Sequence, residues 1–334
     1  MSGDYLWDKS GEADGDLVRL EEALGRLGGP TPPLREIPVP RAAIVRRPLF
    51  WGFAAAALAL AMVTLFIVWR YSSPDWIVIP VAGVPRLDSK ELVGHARLRI
   101  GELIETDGHS RAEISAGHVA NLAVEPNTSL KLTQSGRSGY RVSLERGKLN
   151  AVIWARPKLF FVDTPSAATV DLGCAYSLEV DSEGNTVVHV SHGLVSIESR
   201  GRNSYILAGA VCVARKGLGP GTPYYADASP ALIQALDDFD VHVRTEALAT
   251  VLAEAHKKDA PTLWHLISKT TGTQRAEIID RMVGFVPLLP GVTREGVLNG
   301  NSEMLDRWWN AVRAEAVLPR ISSSVGPSAG HDSR

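Results

Sequence analysis

Nine histidines and two cysteines are the residues of this 334-residue chain best suited to hold a metal or to attack a substrate. Their spacing argues against both. No His-x-x-x-His or His-Glu-x-x-His pair exists to put two imidazoles on one helix face. His189 and His192 stand three apart in the alternating phrase NTVVHVSHG. On a strand and its following turn they point in different directions, so they read as ordinary surface positions. Cys174 and Cys212 lack the Cys-x-x-Cys spacing of redox or zinc motifs. They either close one disulfide, which would add about 3–4 kcal/mol by the loop-entropy model, or remain two buried thiols. The glycine-rich GLGPG at Gly217–Gly221 has no Lys-Ser/Thr of a phosphate loop, and no G-x-S-x-G phrase presents a nucleophile. The reading is therefore no enzyme, no catalytic residue, no metal and no cofactor, and a function that rests on surfaces.

Composition agrees with a folded chain of about two domains: 45% hydrophobic and 22% charged residues. The 35 Lys and Arg nearly balance the 37 Asp and Glu, for a net charge of -2. No basic field exists to neutralise phosphates, so direct nucleic-acid binding is not expected.

The run LFWGFAAAALALAMVTLFIVW, residues 49–69, contains no charge. At helical rise it reaches roughly 31 Å, the thickness of a hydrocarbon core. It predicts one transmembrane helix, since a cleaved signal peptide would be shorter and nearer the start. Arg35, Arg41, Arg46 and Arg47 precede it and only Arg70 follows closely. The positive-inside rule then places the N-terminus in the cytoplasm and residues 71–334 outside it. Trp51, Trp69 and Tyr71 supply amphipathic rings near the two ends.

Residues 1–29 form an acidic segment in which Leu17, Leu20, Leu24 and Leu27 recur at helical spacing before Gly28-Gly29-Pro30. A lone helix of that length is marginal in water, so it is expected to order fully on a partner. Tyr5, Leu6 and Trp7 add an apolar anchor beside it. Residues 30–48, with six prolines and the arginines, are an extended tether.

Beyond a juxtamembrane linker at 70–96, residues 97–215 alternate apolar and polar in short runs such as HVANLAVEP, GYRVSLERG and GLVSIESRG, separated by turn residues. These are strands. Gly101, Gly147 and Gly193 recur 46 residues apart at the head of GELIET, GKLNAV and GLVSIE. The period suggests a solenoid-like stack of two sheets, with a plain β-sandwich as the other candidate.

The ordered series LRIGELIETDGHSRAEISAGHVANLAVEPNTSLKL, VSLERGKLNAVI, KLFFVDTPSAATVDLGCAYSLEVD, VVHVSHGLVSIE and YILAGAVC resembles the FecR domain of bacterial transmembrane signalling proteins. The matching positions are Thr106 at the opening, Asn127-Thr128 at the Asn-Thr step and Phe161, Thr164 and Pro165 in the F-x-V-x-T-P strand. Gly173, Gly193 and Gly209 fall at the following turns. The resemblance implies a sensor of the bacterial inner membrane that relays a periplasmic cue to a cytoplasmic sigma factor, as an anti-sigma regulator. Its envelope-side partner would be an envelope or outer-membrane protein. Two features depart from the pattern: Cys174 stands where a threonine is common, and the cytoplasmic end is shorter than the helical anti-sigma domain of ferric-siderophore regulators. Iron-siderophore sensing is therefore not carried over.

After a Gly/Pro linker at 216–229, helical spacing returns near Ala231–Leu236, Val241–His256, Thr262–Thr270, Gln274–Phe285 and Glu303–Arg313. A small helical array over 230–318 is expected, anchored by Trp308-Trp309, with a disordered tail at 319–334. The expected fold is thus one transmembrane helix, a mainly β extracytoplasmic domain and an α-helical C-terminal region. On the cytoplasmic side Tyr5, Trp7, Leu17, Leu20 and Leu24 form the expected sigma-factor contact. The rival reading is an envelope scaffold or a ligand- or polymer-binding protein that the span merely anchors.

Overall fold

The computed structural model describes residues 14–26, 28, 58–64 and 75–323. It divides into two compact units, Met1–Arg70 and Tyr71–Arg334. In the first unit the expected amphipathic helix forms as α1, Gly15–Gly25, preceded by Asp14 in extended conformation. Residues 58–64 of the expected span are helical, with Leu58, Leu60, Met62 and Val63 exposed. The rest of 49–69 lies outside the described residues. Among the described residues no helix is long and apolar enough to cross a membrane.

The second unit opens with short strands β1 (Ile77–Ala82), β2 (Arg86–Leu87), β3 (Lys90–Glu91) and β4 (Ala96–Arg97), followed by β5 (Leu103–Glu105), β6 (Arg111–Ser115), β7 (Ala120–Val124) and β8 (Ser129–Gly136). Then come the long β9 (Gly139–Ile153), β10 (Phe160–Asp163), β11 (Ala168–Asp171), β12 (Ala175–Val180) and β13 (Thr186–His192). The series ends with β14 (Leu194–Ser199), β15 (Arg202–Leu207), β16 (Ala210–Arg215), β17 (Gly219–Pro220) and β18 (Tyr224–Tyr225). One sheet runs β4, β1, β6, β7, β9, β12, β13, β16, with β17 and β18 both on β16. The other runs β3, β2, β5, β8, β9, β10, β11, β14, β15. Of these pairings only β9 with β10 is parallel.

Strand β9 belongs to both sheets: Gly139–Arg146 pairs with β8, and Gly147–Val152 pairs with β12. The inner faces share one core, with Ile114, Leu122, Leu149 and Leu178 from the first sheet against Ile104, Leu130, Leu144 and Ile197 from the second. The fold is therefore a double sheet joined through a common strand. It is also longer than 97–215 at both ends. The segment 70–96 holds β1 to β3, whose alternation in IVIPVAGVP is interrupted by Pro80 and Pro85, and 216–229 holds β17 and β18.

The C-terminal helices are α2 (Pro230–His242), α3 (Ala247–Glu254), α4 (Ala260–Ile267), α5 (Gly272–Val283), α6 (Arg294–Leu298) and α7 (Ser302–Ser323). Ser229 caps α2 through its hydroxyl, which accepts from the Leu232 N–H at 3.1 Å. The continuous helix expected over Val241–His256 is broken. Val243 adopts φ 52° and ends α2, a left-handed conformation that a β-branched residue rarely takes and that periodicity cannot foresee. At the far end α7 runs through Pro319 to Ser323, so 319–323 of the expected tail are helical, and the rest of it lies outside the described residues.

These helices cover the edge of the second sheet, where β15 pairs only with β14 among the described strands. The Tyr205 N–H on that open edge donates to Nε2 of His265 at 2.9 Å, and Nδ1 of the same ring donates to Pro261 O at 2.7 Å. Trp309 packs on Trp264, ring centroids 4.5 Å apart, and on Tyr205 at 5.8 Å. Trp308 is fully buried and its indole N–H donates to Val286 O. The tryptophan pair is thus a structural anchor.

His265 must stay neutral to accept from Tyr205, and burial holds its pKa down to about 4 from an ordinary 6.5. The stability this confers is complete above about pH 6.5 and is lost as pH falls through about 4. The total is on the order of 3 kcal/mol. Urea unfolding monitored by tryptophan fluorescence should show about 2 kcal/mol less stability at pH 5 than at pH 7 from this group. The His265→Gln variant should lack that increment, and an unchanged pH dependence in the variant would contradict the assignment.

Candidate functional site

In helix α1 Leu17, Leu20 and Leu24 fall within one narrow stripe, and Asp16, Arg19, Glu21 and Glu22 share the rest of its surface with Val18 and Ala23. None of its residues is buried, and Leu20 and Leu24 are more than half exposed. Asp16 lies in the first turn, where the helix dipole favours negative charge, and Arg26 pairs with Glu22 at 3.1 Å at the other end. Three of the five residues expected to contact a partner are therefore placed on one exposed face. Tyr5 and Trp7 lie outside the described residues.

The motif residues of the β domain gather at places where the chain passes from one sheet to the other. At one corner Thr106 follows β5, Thr128 precedes β8, and Gly147 sits within β9. The Thr106 hydroxyl donates to Glu125 O at 2.6 Å and accepts from the Thr128 N–H at 2.9 Å. The Thr128 hydroxyl in turn accepts from the Lys148 N–H at 2.9 Å. Asn127 takes φ 57°, which an asparagine tolerates. Gly147 takes φ 87°, and a Cβ there would lie 2.6 Å from Asn127 O. A side chain at 147 would therefore push apart the three crossings that these hydroxyls tie together.

Nearby, Thr164, Ser166 and Thr186 form a second hydroxyl cluster: Ser166 donates to Thr186 at 2.6 Å, and Thr186 donates to Thr164 at 2.8 Å. Phe161 lies under the Arg141 guanidinium, 4.3 Å from the ring centre, and Arg141 pairs with Asp163 on the same strand. Pro165 is exposed at the turn. At the opposite corner Gly173, Gly193 and Gly209 take φ 100°, 82° and 81° where β11 passes to β12, β13 to β14 and β15 to β16. Gly101, the first of the 46-residue series, also has positive φ, and its N–H donates to Leu132 O at 2.7 Å.

Cys174 and Cys212 are buried free thiols, which removes the disulfide from the two readings left open. Cys174 immediately precedes β12 and Cys212 lies on β16, and β13 runs between those two strands of the first sheet. Two strand spacings put them roughly 9–10 Å apart laterally, beyond the reach of a disulfide. Cys174 donates to Leu194 O and Cys212 to Gly221 O. Burial pushes both thiols up to about 12, so neither is a nucleophile at neutral pH.

Sequence reasoning missed two ionisable groups. His265 has no motif around it, only the apolar APTLWHLI in which it sits. Asp171 is fully buried beside Cys174, with one oxygen accepting from the Gly173 N–H and the other unpartnered, and burial pushes its pKa up to about 6. His189 and His192 are exposed. Among the described residues no group of three His, Cys, Asp or Glu is placed to hold a metal ion. The hydroxyls at the first corner are bonded to the backbone and those of the second cluster largely to one another. The arrangement positions strands and offers faces.

Gly193→Ala should cost about 2–4 kcal/mol, because the new Cβ meets Gly173 O as well as the positive-φ penalty. Gly201→Ala, at φ 77° with open space around it, should cost only the roughly 1 kcal/mol conformational part. Denaturant unfolding of both variants separates the two contributions, and equal losses would contradict the close-approach account.

Comparison with known proteins gives three findings. The family model described as FecR protein matches residues 102–196. Two crystal structures described as a "putative anti-sigma factor" from Parabacteroides distasonis ATCC 8503 align at 15% identity and a TM-score of 0.33. Each alignment covers 40% of this chain, which spans 62% and 63% of those two chains. Curated proteins give no match. The matched segment begins just before β5, ends within β14 and contains both hydroxyl clusters and two of the three glycines of the opposite corner. The match to the FecR family is thus one of residues 102–196, a segment of this chain.

Proposed function

We propose that the chain is a single-pass signal transducer of the bacterial inner membrane, with α1 in the cytoplasm and the FecR domain in the periplasm. The β domain or the helices behind it receive an envelope cue or an outer-membrane partner, and α1 restrains or assists a sigma factor. The observation that carries this reading is the stripe of Leu17, Leu20 and Leu24 on a helix with no buried residue, with Leu20 and Leu24 exposed and Leu17 half-buried. It stands on the far side of an uncharged 21-residue run from the FecR domain. A helix this short needs a partner to hold it, and the acidic flank complements a basic protein surface. The chain acts in this reading by binding and not by catalysis.

Burying two leucines in an interface contributes about 3–5 kcal/mol, so replacing them with charge should weaken the contact by at least about a hundredfold. A Leu20→Asp, Leu24→Asp double variant should change transcription from a sigma-dependent promoter while its level in the membrane stays constant. Unchanged transcription would mean that α1 is a solvated tail.

A further inference from the structure

The outward face of the first sheet carries polar side chains that packing does not explain. Backbone register sets them in two rows across the strands. One row runs Glu113, Ala123, Asn150, Ser177, His189 from β6 to β13. The next runs Ser115, Asn121, Val152, Ala175. The small side chains of Ala123, Ala175 and Ser177 leave a trough of about 470 Å³, walled by Glu113, Asn121, Asn150 and His189 and lined by no lysine or arginine. The Asn121 amide donates to Glu113, and its own Oδ1 is buried with no hydrogen-bond partner. The Asn150 amide donates to Glu125 Oε1 at 2.8 Å. Trp154 continues the outward alternation of Asn150 and Val152 past the end of β9 and is 59% exposed.

This chemistry selects its ligand. The carboxylate of Glu113 in the trough repels an anion, while that of Glu125 beside it is paired with Arg111 at 3.0 Å. A peptide strand has nothing to pair with, since these strands already have neighbours on both sides. A protein interface of ordinary kind would want a broad apolar centre, where this trough has one valine, Val152, among alanine, serine and amides. Sugar hydroxyls both donate and accept, and so satisfy a carboxylate, two amide carbonyls and an imidazole together. The C–H face of a pyranose ring packs on an exposed indole, which offers a flat apolar body with a polar handle. Five strands give the row roughly 19 Å of length, the reach of a short oligosaccharide.

We propose that the outward face of the first sheet, between β6 and β13, binds a neutral oligosaccharide chain laid across the strands, with one sugar ring on Trp154. The site belongs to the β domain alone and stands whether or not α1 meets a sigma factor. The test is calorimetric titration of the full chain in lipid nanodiscs with chitotetraose, cellotetraose and, as an anionic counterpart, tetragalacturonate. A neutral tetrasaccharide should saturate the protein with a Kd below about 1 mM. Ser177→Arg, which fills the trough, and Trp154→Ala should each weaken it at least about tenfold with the unfolding midpoint preserved. Lys131→Ala, on the outer face of the second sheet, should leave it unchanged. No binding of either neutral sugar would leave the face to a protein partner and overturn the proposal. So would equal affinity in the Ser177→Arg and Trp154→Ala variants, or preference for tetragalacturonate.

Discussion

The β domain depends on one constraint: its strands do not end where a sheet ends but bend into the other sheet, and each bend must be made without losing the core on either side. Residue alternation has period two, so a bend that cost one residue would turn every following side chain to the wrong face. Positive φ at Gly147, Gly173, Gly193 and Gly209 supplies the turn, and at Gly147 and Gly193 the missing Cβ lets adjacent bends touch. Where the crossing is made without glycine, at Thr106 and Thr128, buried hydroxyls take over the backbone groups that the sheets can no longer pair. Glycine and threonine are two answers to the same problem. That is why so many of the residues carrying the family resemblance lie at corners.

A stack of this kind has open edges, and the chain closes one with its own helices. His265 serves as an acceptor for the Tyr205 N–H, while Tyr205, Leu207 and Tyr224 join the helical core. The contact between Asp240, Thr222 and Lys269 fastens the strand-to-helix connection from the other side, with Lys269 Nζ 2.6 Å from Asp240 Oδ1 and 2.8 Å from Thr222 Oγ1. An exposed strand edge invites pairing with other chains. The helical region therefore protects the β domain as well as extending it.

The strands between 97 and 215 were legible because alternation and turn glycines are local signals, and the ordered motif series marked the FecR domain. What lay outside that reach follows a pattern. Strands β1 to β3 are short and interrupted by Pro80 and Pro85, so their pairing with later strands shows only in space. The break at Val243 depends on tertiary packing overriding a helical period. The state of Cys174 and Cys212 turned on β13 lying between their strands, a matter of strand order that spacing along the chain cannot supply. Of the candidate interaction residues, Leu17, Leu20 and Leu24 were readable from their period, whereas Asn121 and Asn150 came to line one trough only through register.

A helix with an exposed leucine stripe, an uncharged run and a FecR domain in that order make up a chain suited to carrying information between compartments. The central claim is that residues 1–29 hold a sigma factor. Affinity co-purification from solubilised membranes tests it most directly, comparing the full chain with one that lacks residues 1–29 but keeps Arg35, Arg41, Arg46 and Arg47. The account predicts that a sigma factor is recovered with the full chain and lost with the deletion. Recovery of envelope proteins alone, and equally with both forms, would contradict it.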